Sequence, residues 1–132
     1  MKILGVEFDS NKMHYVLIEG DFDIHEVLQK NRLELAETRS RDSLVAFQDA
    51  IRTLYNATVP DILSIKAKPE AGQMRAGAAA LKMEGVVLAN APCKVVFVSG
   101  LRINQCEVEC GGLQKYLQPA YKAAVVTLTS QR

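Results

Sequence analysis

Apolar residues along the chain fall first into short runs and later into helical stripes. Ile3-Leu4-Gly5-Val6-Glu7-Phe8 is a short apolar run of the kind that fills a central strand. Asp9-Ser10-Asn11-Lys12 is turn chemistry, and Met13 to Ile18 is a second apolar run, so the two predict a hairpin. Gly20-Asp21 signals another turn. From Val27 to Ala36 the pattern alternates, with Leu33 and Leu35 on one side and Arg32 and Glu34 on the other, which predicts an amphipathic third strand. Ser40 or Asp42 caps a predicted helix over 43–56, whose apolar stripe is Leu44, Phe47, Ile51 and Leu54. Pro60 fits the break after it. Asp61 to Lys66 reads as a fourth strand and Lys68 to Gly72 as a loop. Gln73 to Asn90 is rich in Ala and good helix formers. Within it Gly77, Ala78, Leu81, Gly85 and Leu88 place small residues along one side, which predicts that this helix lies close to a sheet. Lys94 to Val98 reads as a fifth strand, broken at Gly100. Leu113 to Leu128 predicts a last helix, kinked at Pro119.

The order β-β-β-α-β-α-β-α puts a hairpin ribbon before two right-handed crossovers, with helices covering both faces of a sheet. Length changes this picture little: 132 residues make one domain, residues 1–132, large enough to fold without staples. A formal net charge of +1 points to no strongly acidic or basic partner, although a local basic patch can still bind an anion. The start Met1-Lys2-Ile3 has no signal-peptide pattern, and the apolar stretches Val95–Val98 and Ala123–Val126 are far below membrane-spanning length. The cysteines number three (Cys93, Cys106, Cys110), which argues against a disulfide framework and for a reducing cytoplasm.

The residues at the ends of the predicted strands carry a resemblance. Gly5-Val6-Glu7-Phe8-Asp9-Ser10 sits where the Holliday-junction resolvases of the RuvC branch have Gly-Ile-Asp-Pro-Gly-Ser. Val59-Pro60-Asp61-Ile62-Leu63-Ser64-Ile65-Lys66 is similar to that branch's Pro-Asp-hydrophobic strand, which there ends in Glu. Ile65-Lys66 with Pro69, then Ala76-Gly77-Ala78 and Leu81-Lys82-Met83-Glu84, most resembles a small bacterial family of RuvC-like proteins with no assigned function. The resemblance covers nearly the whole chain. It implies an α/β, RNase H-like fold in three layers: a mixed five-stranded sheet of order 3-2-1-4-5 with helices on both faces.

It also implies a site. RNase H-like nucleases hold two divalent metals with carboxylates from the first strand, the end of the fourth strand and the last helix. Here the first position is Glu7, the second is Lys66, and no Asp or Glu follows Glu109. Glu7 and Lys66 are thus the fold's candidate catalytic positions, expected to be inactive and to pair with each other. No metal or other cofactor is expected; Mg²⁺ or Mn²⁺ would be needed only if Glu70, Glu107 or Glu109 supplied the missing ligands. Asp9 reads as a turn residue.

Other candidates are weaker. Lys66, Lys68, Arg75 and Lys82 cluster around one loop and helix start and form a candidate anion-binding patch for nucleic acid or a nucleotide. Cys106 and Cys110 lack the further Cys or His partners of a zinc site. His14 and His25 have no motif around them and read as ordinary core or surface imidazoles. The third strand, at the sheet edge, offers Leu33 and Leu35 for pairing with a second copy. Three readings follow: a degenerate RuvC-like domain that binds a protein, itself or nucleic acid; a metal-dependent nuclease with rearranged ligands; or an enzyme of another class using Glu7 and Lys66 as an acid–base pair.

Overall fold

A computed structural model describes residues 1–131. The strands are β1 (Lys2–Asp9), β2 (Lys12–Gly20), β3 (His25–Glu34), β4 (Ile62–Lys66) and β5 (Lys94–Val98), and the helices are α1 (Arg41–Thr58), α2 (Ala78–Ala89), α3 (Gly100–Gln105) and α4 (Gln118–Thr129). One sheet runs β3-β2-β1-β4-β5. The first three strands are antiparallel neighbours, whereas β4 and β5 run parallel to β1. This is the expected order, and it follows from a tight hairpin followed by two helical crossovers.

Alternation along the strands divides the core in two. Leu4, Val6, Phe8, Met13, Leu17, Leu63 and Ile65 face α1 and α2 and are all buried. Ile3, Val16, Ile18 and Ile62 face α4, together with Leu117, Ala120 and Ala124. Gly5 faces α4 as well. A methyl group there would collide with the Ala120 carbonyl oxygen and lie 2.9 Å from Ala124 Cβ. The backbone of α4 therefore rests directly on β1, and only glycine leaves it room.

Several expectations need correction. The close helix–sheet approach belongs to α4 over Gly5, not to the small residues of α2. Leu81 and Leu88 point outward, Gly77 and Gly85 have open space beside them, and α2 packs through Ala80, Met83 and Val87. That helix is apolar nearly all round, so periodicity could not select its inner face. It also starts later than expected, because Lys68 to Gly77 form a loop. Gly100 opens the short helix α3, which Ser99 caps by accepting from the Arg102 N–H at 3.2 Å. Pro119 lies in the first turn of α4, after a 3₁₀ turn over Lys115–Leu117, and so starts the helix instead of kinking it. Leu33 and Leu35 are core residues: Leu35 is fully buried and Leu33 packs against the α1/α2 core. The exposed residues of β3 are mostly polar and charged but include Val27 and Leu28, and its pairing with β2 is interrupted by an irregularity at Leu17/Ile18.

Candidate functional site at the sheet edge

Glu7, near the end of β1, faces α4. The two-residue turn Ser10–Asn11, with Ser10 at φ 56°, sets the hairpin register so that Glu7 lies directly opposite His14 of β2. On the other side β4 runs parallel to β1, with Val6 against Ile65, so that Lys66 comes beside Glu7. All three side chains point to the same face. Lys66 Nζ lies 3.3 Å from Glu7 Oε2, and His14 Nδ1 lies 3.5 Å from Glu7 Oε1. The carboxylate is thus held on both oxygens. Side-chain exposure is 12% for Glu7, 4% for His14 and 27% for Lys66, so water screens the pair only partly. Tyr116, in the 3₁₀ turn before α4, lies against the His14 ring at a centroid distance of 5.0 Å.

The pairing of Glu7 with Lys66 agrees with the sequence expectation. His14 is the residue that reading missed. Its signal was present: counting outward from the turn, two positions before Asp9 meet two positions after Lys12, which matches Glu7 with His14. Among the described residues, no group of three or more His, Cys, Asp or Glu side chains converges as a metal site, so Glu70, Glu107 and Glu109 join no such group. Asp9 is exposed and pairs across the turn with Lys12.

Next to this cluster a cleft of about 670 Å³ opens between the β4–α2 loop and the start of α3. Lys66, Lys68, Pro69, Met74, Arg75 and Ser99 are among its walls. The loop is held by backbone hydrogen bonds from Ala67 N–H to the Val98 carbonyl at 2.8 Å and from Ala76 N–H to the Pro69 carbonyl at 2.6 Å. Arg75 Nη1 donates to the Gly72 carbonyl at 3.2 Å, while Gly72 itself turns the chain at φ +91°. Lys66, Lys68 and Arg75 are therefore brought together as expected. Lys82 is not: its ammonium donates to the Thr38 carbonyl at 2.6 Å and does not line the cleft. One turn into α2, it reaches back to the segment before α1.

Elsewhere, His25 Nε2 and the Tyr121 hydroxyl share a 2.7 Å hydrogen bond. Burial, and then the nearby Cys110 and Cys106 thiols, push the Tyr121 hydroxyl above its ordinary range, so it stays protonated in that bond. Cys93, Cys106 and Cys110 are free thiols.

A family model described as "Protein of unknown function (DUF3010)" matches residues 1–127. The chain belongs to that family. Among curated proteins, none matches it in sequence. Solved structures do match in shape. RuvC of Thermus thermophilus in complex with a Holliday junction substrate superposes with a TM-score of 0.81 at 9% identity, covering 99% of this chain and 95% of that one. Thermus thermophilus RuvC solved on its own gives 0.76 at 10% identity, covering 96% and 92%. The yeast mitochondrial Holliday junction resolvase Ydc2 gives 0.62 at 10% identity, covering 96% and 78%. At such identities the likeness establishes the fold, which is RuvC-like and RNase H-like in this DUF3010 member. No described helix is long and apolar enough to cross a membrane.

Proposed function

We propose that this DUF3010 chain is a single, catalytically degenerate RuvC-like domain that binds nucleic acid without cutting it. One observation carries the reading: the Lys66 ammonium stands 3.3 Å from the Glu7 carboxylate, between the first and fourth strands. A resolvase-type site needs oxygen donors there for hard divalent cations. The groups present are one carboxylate with both oxygens engaged, an imidazole, and an ammonium that has no lone pair to offer a metal. A divalent ion about 4 Å from that ammonium would meet roughly 8 kcal/mol of repulsion at an effective dielectric near 20. That cancels the attraction a carboxylate supplies at the same distance, so the Glu7–Lys66 pair has no net charge with which to gather divalent ions. The residues do not fit a two-metal centre.

Binding is supported by the neighbouring cleft, where Lys66, Lys68 and Arg75 share a wall with no acidic residue among its lining. The likeness to a RuvC solved with a Holliday junction makes nucleic acid the ligand class to test first. An acid–base role for Glu7 is disfavoured, because the carboxylate does not line the cleft and both of its oxygens are held. Self-association by strand addition is opposed by Lys30, Arg32 and Glu34 and by the irregular register of β3, with Val27 and Leu28 the apolar residues it leaves exposed.

The test is a pair of assays on four-way junction and single-stranded DNA. With Mg²⁺ or Mn²⁺ the protein leaves both substrates intact, while binding weakens steadily with added salt as phosphate contacts are lost. Cleavage that disappears in Glu7→Gln would overturn the reading in favour of rearranged metal ligands.

A further inference from the structure

Resting on the nucleic-acid reading above, we infer that the cleft beside Lys66 seats one unpaired nucleotide bearing a terminal phosphate monoester. Four features of the cleft lead there. Its volume of about 670 Å³ falls within the range of small-ligand pockets, roughly 300–1,000 Å³. A concavity of that size takes a single nucleotide, whereas a paired and stacked duplex offers it only backbone.

The second feature is charge. Every charged side chain lining the cleft is a cation. Glu7, just behind the wall, offsets Lys66 through their 3.3 Å contact. Among the described residues, Lys68 and Arg75 make no ion pair. Two uncompensated cations match a phosphate monoester, which carries about −1.5 to −2 near neutral pH, better than the single charge of an internal phosphodiester. Arg75 is anchored at one guanidinium nitrogen by the Gly72 carbonyl and keeps its other N–H groups for a ligand.

The third is hydrogen bonding. Ser99 Oγ accepts from the Arg102 N–H, which leaves its own O–H to donate. The fourth is the rest of the lining. Ala67, Pro69, Met74 and Ala76 are apolar, and Met74 is 82% exposed. A purely inorganic anion makes no use of such a surface. A base laid against Pro69 and the Met74 thioether does. No aromatic side chain lines the cleft, so base contact is by aliphatic and sulfur packing and shows weak preference among bases.

A free nucleotide and the phosphorylated end of a single strand share this chemistry, and the experiment separates them. Fluorescence anisotropy is measured for one labelled single strand with a terminal phosphate and for the same strand without it. Unlabelled mononucleotide and inorganic phosphate serve as competitors. The terminal phosphate is expected to tighten binding by about tenfold or more, as two charge-assisted contacts would. The exposed-loop double variant Lys68→Ala/Arg75→Ala removes that difference without touching the core. Glu7→Gln, which frees Lys66, increases it. Mononucleotide competes better than inorganic phosphate. If mononucleotide binds and no strand end does, the chemistry stands with the free nucleotide as its source, and the nucleic-acid reading falls. If a junction with hydroxyl ends binds well and the terminal phosphate adds nothing, the cleft assignment is wrong while the nucleic-acid reading survives.

Discussion

The two faces of the sheet share an apolar core but differ in what is added to it. The face under α1 and α2 is a conventional apolar core, filled by large side chains such as Phe8, Phe47, Ile51, Leu63 and Met83. The face under α4 also has an apolar core, from Ile3, Val16, Ile18 and Ile62, but adds small residues and buried polar ones to it. Gly5, Ala120, Ala123 and Ala124 bring backbone to backbone, and Glu7, His14, Ser64 and Thr127 are all buried there. Every one of those polar groups has a partner, and among the described residues no buried side-chain nitrogen or oxygen lacks one. The first face supplies stability through area and packing. The second keeps a helix close to the strand ends and holds a charged cluster in place, at the cost of tolerating almost no change in shape.

That contrast can be broken most sharply at Gly5. Gly5→Val forces side-chain atoms into the α4 backbone, and the loss of stability should reach or exceed the ~3 kcal/mol at the top of the usual overpacking range. Urea denaturation measures it; a loss near zero would mean that α4 is not seated as described. The next effect lies on the same face. Ser64 Oγ donates to the Ala123 carbonyl at 2.8 Å and lies 2.7 Å from the Thr127 hydroxyl, which must then donate to it. Ser64→Ala strands Thr127 and should cost about 1–3 kcal/mol. Adding Thr127→Val should recover part of that loss, because the orphaned hydroxyl goes with it. On the apolar face, Ile51→Val should cost only about 0.5–1.5 kcal/mol, since trimming one methylene there leaves a small void and no unpaired group.

How far the sequence foretold this molecule follows the same division. The succession of elements was legible in the apolar runs, the turn signals and the helical stripes, whereas the strand order 3-2-1-4-5 came mostly from the resemblance to the RuvC branch. The Glu7–Lys66 pair was legible once strands one and four were placed side by side. The inner face of α2 was not, because Ala78-Ala79-Ala80 and Val86-Val87-Leu88 are apolar in every direction. The seating of α4 was hidden as well. Gly5 in an apolar run reads as an ordinary strand residue until a helix is placed over it. His14 was overlooked since it carries no local motif, and its role exists only through hairpin register.

The smallest expected effect lies outside both faces and serves as a control. Asp21 caps its own turn by accepting from the Asp23 and Ile24 N–H groups at 2.9 and 3.0 Å. Those bonds, led by that of Ile24, hold its carboxyl below the ordinary range. A carboxyl lowered in the folded state stabilises the protein at pH values above its unfolded range and loses that contribution as pH falls through its folded value. The stability difference between wild type and Asp21→Ala should therefore be small at neutral pH and shrink further in acid. A difference that grew in acid would contradict this account of the turn.

The position of the Lys66 ammonium supports everything said about function, and soaking crystals with Mn²⁺ tests it most directly. The account predicts Lys66 still paired with Glu7 and no anomalous density between the first and fourth strands. A manganese ion bound to the Glu7 carboxylate, with Lys66 swung aside, would contradict it.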